Sequence, residues 1–378
     1  MQIQSIPRSK TVWDFLNGER IRRVLLVTAL LPLSLAFGCA TVPAPVAQEP
    51  VVWPAPPEKP RIRFVRAIGH AADLETSRWA HFKRADLHIG NEPALVQPMG
   101  VAVSRDGERL YIADYGGGRV MLADFGRQTM DVFAPEAQVE RPFNVALDAQ
   151  ENVYIADSAR KSVLVLDRRG AFLRRIGAGD LERPTGLALD GERRLLYVAD
   201  SSSKESPNHR VRVYSLDGAH LRDLGPLDGV PARGDGDGQF YFPTYLALDG
   251  GGNVYVADTM NFRIQVFAPD GRFLRKYGES GETPGTFHRL KGLAFDSFDN
   301  LYAVDGGHGN VQIFNRDFAQ LMFFGGFANL LEYFDVPSGI AIDRGRNRIY
   351  ICNTAVPRIN VYELINTAAE DSAPGGPQ

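Results

Sequence analysis

Cysteine is scarce: the 378-residue chain holds two, Cys39 and Cys352. A disulfide framework is therefore not what holds it together, and Cys352 reads as a small buried hydrophobe. Charge of one sign is also missing. Lys and Arg total 42 against 45 Asp and Glu, a formal net charge of −3, so no global basic field draws the chain to nucleic acid. Long apolar runs are absent too. The longest, Val24 to Phe37, would rise only ~21 Å as a helix against a hydrocarbon core of ~30 Å, which argues against a retained membrane span. What is present is ordinary for a folded domain, 44% hydrophobic and 23% charged residues, with the 38 Gly and 24 Pro of a chain that turns often.

The first forty residues carry an export pattern. Arg20, Arg22 and Arg23 precede the apolar run, which ends at Leu35-Ala36-Phe37-Gly38-Cys39. This resembles the lipobox of bacterial lipoproteins, with Ala36 where Leu is usual. The resemblance implies a signal peptide over 1–38, a lipidated Cys39, and a membrane held through buried acyl chains. Ala40 stands where inner-membrane retention resembles a rule requiring Asp, so the expectation is the outer membrane, facing the periplasm or the cell surface. Residues 39–60 contain Pro43, Pro45, Pro50, Pro54, Pro56, Pro57 and Pro60. They are expected to run as a stiff spacer that builds neither helix nor sheet, with roughly 60 Å of reach. Residues 366–378 are small, polar and Gly/Pro-rich, as a frayed tail is.

The body repeats itself. Pro98-Met99-Gly100-Val101-Ala102-Val103, Pro184-Thr185-Gly186-Leu187-Ala188-Leu189 and Pro337-Ser338-Gly339-Ile340-Ala341-Ile342 are copies of one strand, with looser copies from Pro142, Pro243 and Leu290. Each is followed by a turn and a second strand ending in Asp114, Asp157, Asp200, Asp258, Asp305 or Asn353. A third strand follows, and in most copies a fourth, at a period of roughly 40 to 60 residues. Six such units in order resemble the NHL-repeat family over residues 98–364. The resemblance implies an all-β, six-bladed β-propeller, here over 61–365. Its last unit lacks a fourth strand, and Arg61 to Gly69 looks like the fourth strand Phe172 to Gly177. That N-terminal strand is expected to complete the last blade and close the ring, removing exposed edges. Residues 70–97 form an extra segment, with Leu74, Trp79 and Phe82 suited to a short helix capping the channel mouth. Blade three carries a longer loop, Ser201 to Arg210.

A carboxylate that recurs in every unit is architecture, so the Asp series is read as turn chemistry. Five positions later the family tends to carry Arg, matched by Arg119, Arg263, Arg358 and, after the insertion, Arg210, whereas Ser162 and Asn310 depart from it. These guanidinium groups are read as packed against a local carboxylate or carbonyl rather than as an anion-binding face. Asp235-Gly236-Asp237-Gly238 lacks the later ligands of an EF-hand loop and reads as a connector. His209, His288 and His308 fall on the upper face, the one carrying the second-to-third strand loops. NHL-related amidating lyases resemble this chain and hold zinc through three histidines at innermost strand starts, where this chain has Met99, Phe143, Thr185, Thr244, Lys291 and Ser338. Nor does the acidic set of the calcium-dependent lactonase propellers assemble.

No cofactor is expected, zinc and calcium being the two weighed. The candidate ligand surface is the upper loop face, with Tyr115, Arg119, Phe143, Asn144, Lys161, Arg210, Thr244, Tyr245, Arg263, Lys291, His308 and Arg358. The chain is read as a non-catalytic envelope lipoprotein, a binding or scaffolding module for a protein, peptide or glycan partner, with no nucleic acid. The alternative is a metal-dependent lyase or lactonase-like hydrolase at the channel mouth.

Overall fold

A computed structural model describes residues 50–75, 93–225, 232–328 and 330–365. The signal peptide, Cys39, most of the 70–97 segment and the 366–378 tail lie outside the described residues. From Pro50 onward the chain is all-β and forms six antiparallel sheets. The first strands, Pro98–Val103, Pro142–Leu147, Pro184–Asp190, Pro243–Leu248, Leu290–Phe295 and Pro337–Asp343, pack side by side around a central channel.

Burial within a blade follows strand order. In blade two the second and third strands, Val153–Asp157 and Ser162–Leu166, are buried throughout, while the outer strand Phe172–Ile176 hides only its last residue. Strands covered on both faces read as unbroken apolar runs, and a strand with one wet face alternates. Each second strand also contributes a tyrosine to the inter-blade core. Tyr111, Tyr154, Tyr197, Tyr255, Tyr302 and Tyr350 are all buried.

The ring closes as the repeat count requires. Ile62–Ile68 pairs antiparallel with Arg358–Leu364, Ile62 opposite Leu364 and Ile68 opposite Ile359. Arg63 donates to the Glu363 carboxylate at 2.6 Å across the same pair.

One expectation is corrected. The Pro-rich stretch does not stay out of the sheet, because Val52–Trp53 pairs with Ile62 and Arg63 as a fifth strand of blade six. The reason is Trp53, whose ring packs against Phe324, Tyr333 and Tyr362 at centroid distances of 6.1, 6.1 and 5.8 Å. An indole removed from water outweighs the poor strand propensity of its neighbours. Of the 70–97 segment, Ala71–Leu74 forms a 3-10 turn with Leu74 buried. The capping helix expected around Trp79 and Phe82 falls outside the described residues.

Candidate functional site

The channel is built from the second and third residues of each first strand. In every blade the pairing of first with second strand shifts register just after the opening residue. Such a bulge turns the following side chains toward the axis. Neighbouring first strands come so close that a Cβ on Gly100 would lie 2.6 Å from the Cα of Asn144, and one on Gly186 would lie 2.6 Å from the Thr244 carbonyl oxygen. Blades two and four carry Asn144 and Tyr245 where other copies carry glycine, and those side chains fill the axis.

Tyr245 is 3% exposed, lies 5.4 Å from the Phe143 ring, and donates to the Met99 carbonyl at 2.8 Å. Burial pushes its phenol well above the usual range. Asn144 is also buried, its side-chain oxygen accepting from the Val145 amide. Tyr245 and Asn144 are thus channel filling rather than open loop surface. Hydroxyls seal the joints between blades. Ser201 donates to the Pro243 carbonyl at 2.6 Å, Thr259 to the Leu290 carbonyl at 2.9 Å, and Ser338 to the Pro98 carbonyl at 3.3 Å. Thr244 shares a hydrogen bond with Thr259.

The recurring carboxylates do more than cap their own turns. Asp114 accepts from the Gln97 amide, Asp157 from Arg141, Asp200 from Arg183 and Asp305 from Arg289, at 2.7, 3.1, 2.7 and 2.9 Å. Each carboxylate therefore clamps the residue that leads into the first strand of its own blade. Burial pushes the carboxyls of Asp200 and Asp258 up, against the pull of these donors.

The recurring arginines complete the same frame. Arg263 donates to the Asp258 carboxylate at 2.9 Å and to the carbonyls of Asp235, Gly236 and Gln239. The Asp235 to Gly238 stretch is accordingly a connector wrapped around a guanidinium. Arg119 reaches Asp114 and the Ala94 carbonyl, Arg210 reaches Asp200 and the Asp180 carbonyl, and Arg358 reaches Asn360 and the carbonyls of Leu330 and Tyr333. The two blades that lack this arginine place a basic side chain three residues after the carboxylate. Arg160 lies 4.0 Å from Asp157 and His308 Nδ1 lies 3.0 Å from Asp305. Arg119, Arg210, Arg263, Arg358 and His308 are thus framework rather than free ligand contacts.

The three histidines do not converge. His209 accepts the Phe242 amide at Nδ1 and donates from Nε2 to the Ser203 carbonyl, and burial pushes it down, so it is held neutral. His288 meets His308 at a ring distance of 5.9 Å. Among the described residues no three His, Cys, Asp or Glu side chains converge on a point that could hold an ion.

Among the described residues three cavities remain open, one of about 490 Å³ at blade six, lined by Phe327, Ala328, Phe334, Asp335, Val356 and the candidate Arg358, and two over blades one to five. One cavity of about 580 Å³ is lined by Tyr115, Arg141, Lys161, Glu182, Arg183 and the serines 158, 202 and 203. A second of about 510 Å³ at the channel mouth is lined by Phe143, Thr185, Thr244, Tyr241, Phe242 and Met260, with Arg183, Lys204, Arg289 and Lys291. Arg183 lines both. Of the sequence candidates, these cavities bring together Tyr115 and Lys161 in the first, and Phe143, Thr244 and Lys291 in the second. Burial, reinforced by the charges of Arg289 and Arg183, pushes the Lys291 ammonium down to about 8. Glu182 is spoken for. Asn208 and Ser202 hydrogen-bond to it first, then Ser206, which stitches the long loop of blade three and lowers the carboxyl.

Sequence reasoning missed Arg141, Arg183, Arg289 and Lys204. A signal for the first three was there, since each directly precedes the first strand of its blade, in Arg141-Pro142, Arg183-Pro184 and Arg289-Leu290. That position is the one the blade carboxylates clamp.

The NHL repeat family pattern matches residues 240–267, which hold the first three strands of blade four. Protein brain tumor of Drosophila melanogaster is 24% identical over 147 residues, 38% of this chain and 13% of that protein. NHL repeat-containing protein 2 of Gallus gallus is 25% identical over 171 residues, 38% of this chain and 23% of that protein. The chain thus spans less than a quarter of either relative. Among solved structures, a Bacteroides thetaiotaomicron protein of unknown function aligns with a TM-score of 0.57 at 18% identity, over 71% of this chain and 70% of that one. A gluconolactonase from Xanthomonas campestris gives 0.55 at 21% identity, over 71% and 86%. Virginiamycin B lyase from Staphylococcus aureus gives 0.51 at 12% identity, over 71% and 96%. At such identities the likeness is one of fold, which hosts many chemistries.

Proposed function

Because this chain belongs to the NHL-repeat family of β-propellers, we propose that it is a non-catalytic binding module whose upper face takes a protein, peptide or glycan partner. The lipobox around Cys39 motivates the rest of the reading, an envelope lipoprotein held at the outer membrane by its acyl chains.

One observation carries the binding role. The recurring arginines spend their guanidinium groups on carboxylates and carbonyls of the frame, yet the two upper cavities keep Arg183, Lys204, Arg289 and Lys291 without an acidic partner among the described residues. Groups of this kind, held in place by a rigid ring and left unsatisfied by it, suit recognition. The alternative, a metal-dependent lyase or lactonase-like hydrolase, draws no support from the geometry. His209 and His308 serve the frame, and the inner ring offers hydroxyls, a lysine and apolar groups.

Photo-crosslinking in intact cells tests the binding role. A crosslinker at Tyr115 or Lys161, on the upper face, should capture a discrete partner. One at Gln150 or Gly251, in the first-to-second strand turns, should not. Equal capture from both faces would refute an upper-face site. Metabolic labelling with a palmitate analogue, lost in Cys39→Ser, tests the anchor.

A further inference from the structure

The two cavities share Arg183 and together form a groove of predominantly positive charge over blades one to five. Arg141, Lys161, Arg183, Lys204, Arg289 and Lys291 line it against a single carboxylate among the lining residues, Glu182, which Ser202, Ser206 and Asn208 hold in hydrogen bonds to the blade-three loop. This concentration of cations sits on a chain whose net charge is −3. It is therefore a local feature, and the blade carboxylates that clamp the amides of Arg141, Arg183 and Arg289 hold it in place. Low-dielectric walls focus such a field on an anionic ligand.

The groove is not uniform. At the channel end Phe143, Phe242 and Met260 add an apolar floor. A chain carrying several carboxylates and an apolar side chain matches both features at once. Rings that could stack a base or a sugar are already engaged. The Arg141 guanidinium lies 5.6 Å over Tyr115, Arg233 lies 4.9 Å over Tyr241, and His209 meets Phe242 at 4.6 Å. Single-stranded nucleic acid relies on open stacking platforms that this surface has committed elsewhere.

We propose that the groove binds an extended acidic peptide segment of a partner protein, its carboxylates on the Arg183 and Lys291 side chains and one apolar residue against Phe143 and Met260. This rests on the upper-face binding role argued above and names the chemistry of the partner.

Fluorescence anisotropy on the purified full chain tests it, with a labelled decapeptide of alternating Glu and Leu as the probe. Three comparison probes are a Gln-Leu decapeptide, a sulfated oligosaccharide and an oligodeoxynucleotide of equal charge. The Glu-Leu peptide should bind most tightly and lose affinity tenfold or more in Arg183→Gln with Lys291→Gln. It should also weaken as salt rises, since exposed charges are screened. A melting temperature in the double variant no lower than that of the wild type assigns the loss to the groove. Equal binding of the Gln-Leu peptide, tighter binding of either other polyanion, or an unaffected double variant would overturn the assignment. If crosslinking still captures a partner on the upper face in that case, only the acidic-peptide identity falls.

Discussion

The Tyr245 hydroxyl reaches from blade four to the Met99 carbonyl of blade one at 2.8 Å, joining two blades that stand opposite each other in the ring. A propeller is otherwise held by contacts between neighbours, so this bond ties the toroid across its own centre. Tyr245→Phe should lower stability by about 1 kcal/mol, the net worth of one buried hydrogen bond. Tyr245→Ala, which also empties the axis, should lower it by about 3 to 5 kcal/mol. Denaturant unfolding of both variants checks this, and an Ala variant no weaker than the Phe variant would show that the axis is not packed.

Lys291 makes stability depend on pH in a predictable direction. The folded chain gives up the Lys291 proton at about 8 and the unfolded chain near its ordinary 10.5. Between those values the unfolded state binds more protons, so stability climbs with pH. Below the lower value both states carry the charge and the burial penalty stands in full. Lys291→Met should therefore stabilise the chain at pH 7, by about 2 kcal/mol after allowing for partial exposure of the group. The gain over wild type should shrink as pH is raised toward 10.5. A gain that persists unchanged at high pH would point to packing instead of charge.

Arg263 and Arg183 should behave in opposite ways. Arg263→Ala strips a buried carboxylate, Asp258, of its guanidinium partner and takes a donor from three connector carbonyls, of which Gly236 and Gln239 keep another. The expected loss is about 3 to 5 kcal/mol, with faster amide exchange over residues 233–240. Among the described residues the Arg183 side chain has no hydrogen-bond or ionic partner, so Arg183→Gln should change stability by less than about 0.5 kcal/mol. Similar losses in the two variants would erase the distinction between frame and site.

Cys352 sits at 0% exposure in the second strand of blade six, where burial pushes its thiol up. Alkylation of the Cys352 peptide, followed by mass spectrometry, should be negligible in the native protein and complete in denaturant. Fast native labelling would mean that blade six opens, contrary to its double closure.

That closure can be probed at Trp53. Trp53→Ala removes a half-buried indole from Phe324, Tyr333 and Tyr362 and should lower stability by about 2 kcal/mol. Thermal melts check this. A silent substitution would mean that the added edge strand contributes nothing to holding the ring.

Architecture was legible because it rests on local chemistry repeated six times. Strand alternation, the Asp at each turn and the stray fourth-strand match at Arg61 to Gly69 were enough to number the blades and close the ring. The Pro-rich stretch misled because local propensity said nothing of the aromatic hole that awaited Trp53. The candidate site was legible only in part. Phe143, Thr244 and Lys291 were visible as inner-strand positions, yet their neighbours Arg141, Arg183 and Arg289 looked like ordinary loop arginines.

Sequence by itself determined the repeat, the blade order and the clasp, since each follows from residue type at fixed spacing. Only the tertiary structure decided which cations serve the frame and which stand free. Arg263 and Arg183 are both arginines in recurrent positions. One finds a carboxylate and three carbonyls within reach and the other finds open space, a difference set by the packing of neighbouring loops rather than by either residue's own surroundings in the chain.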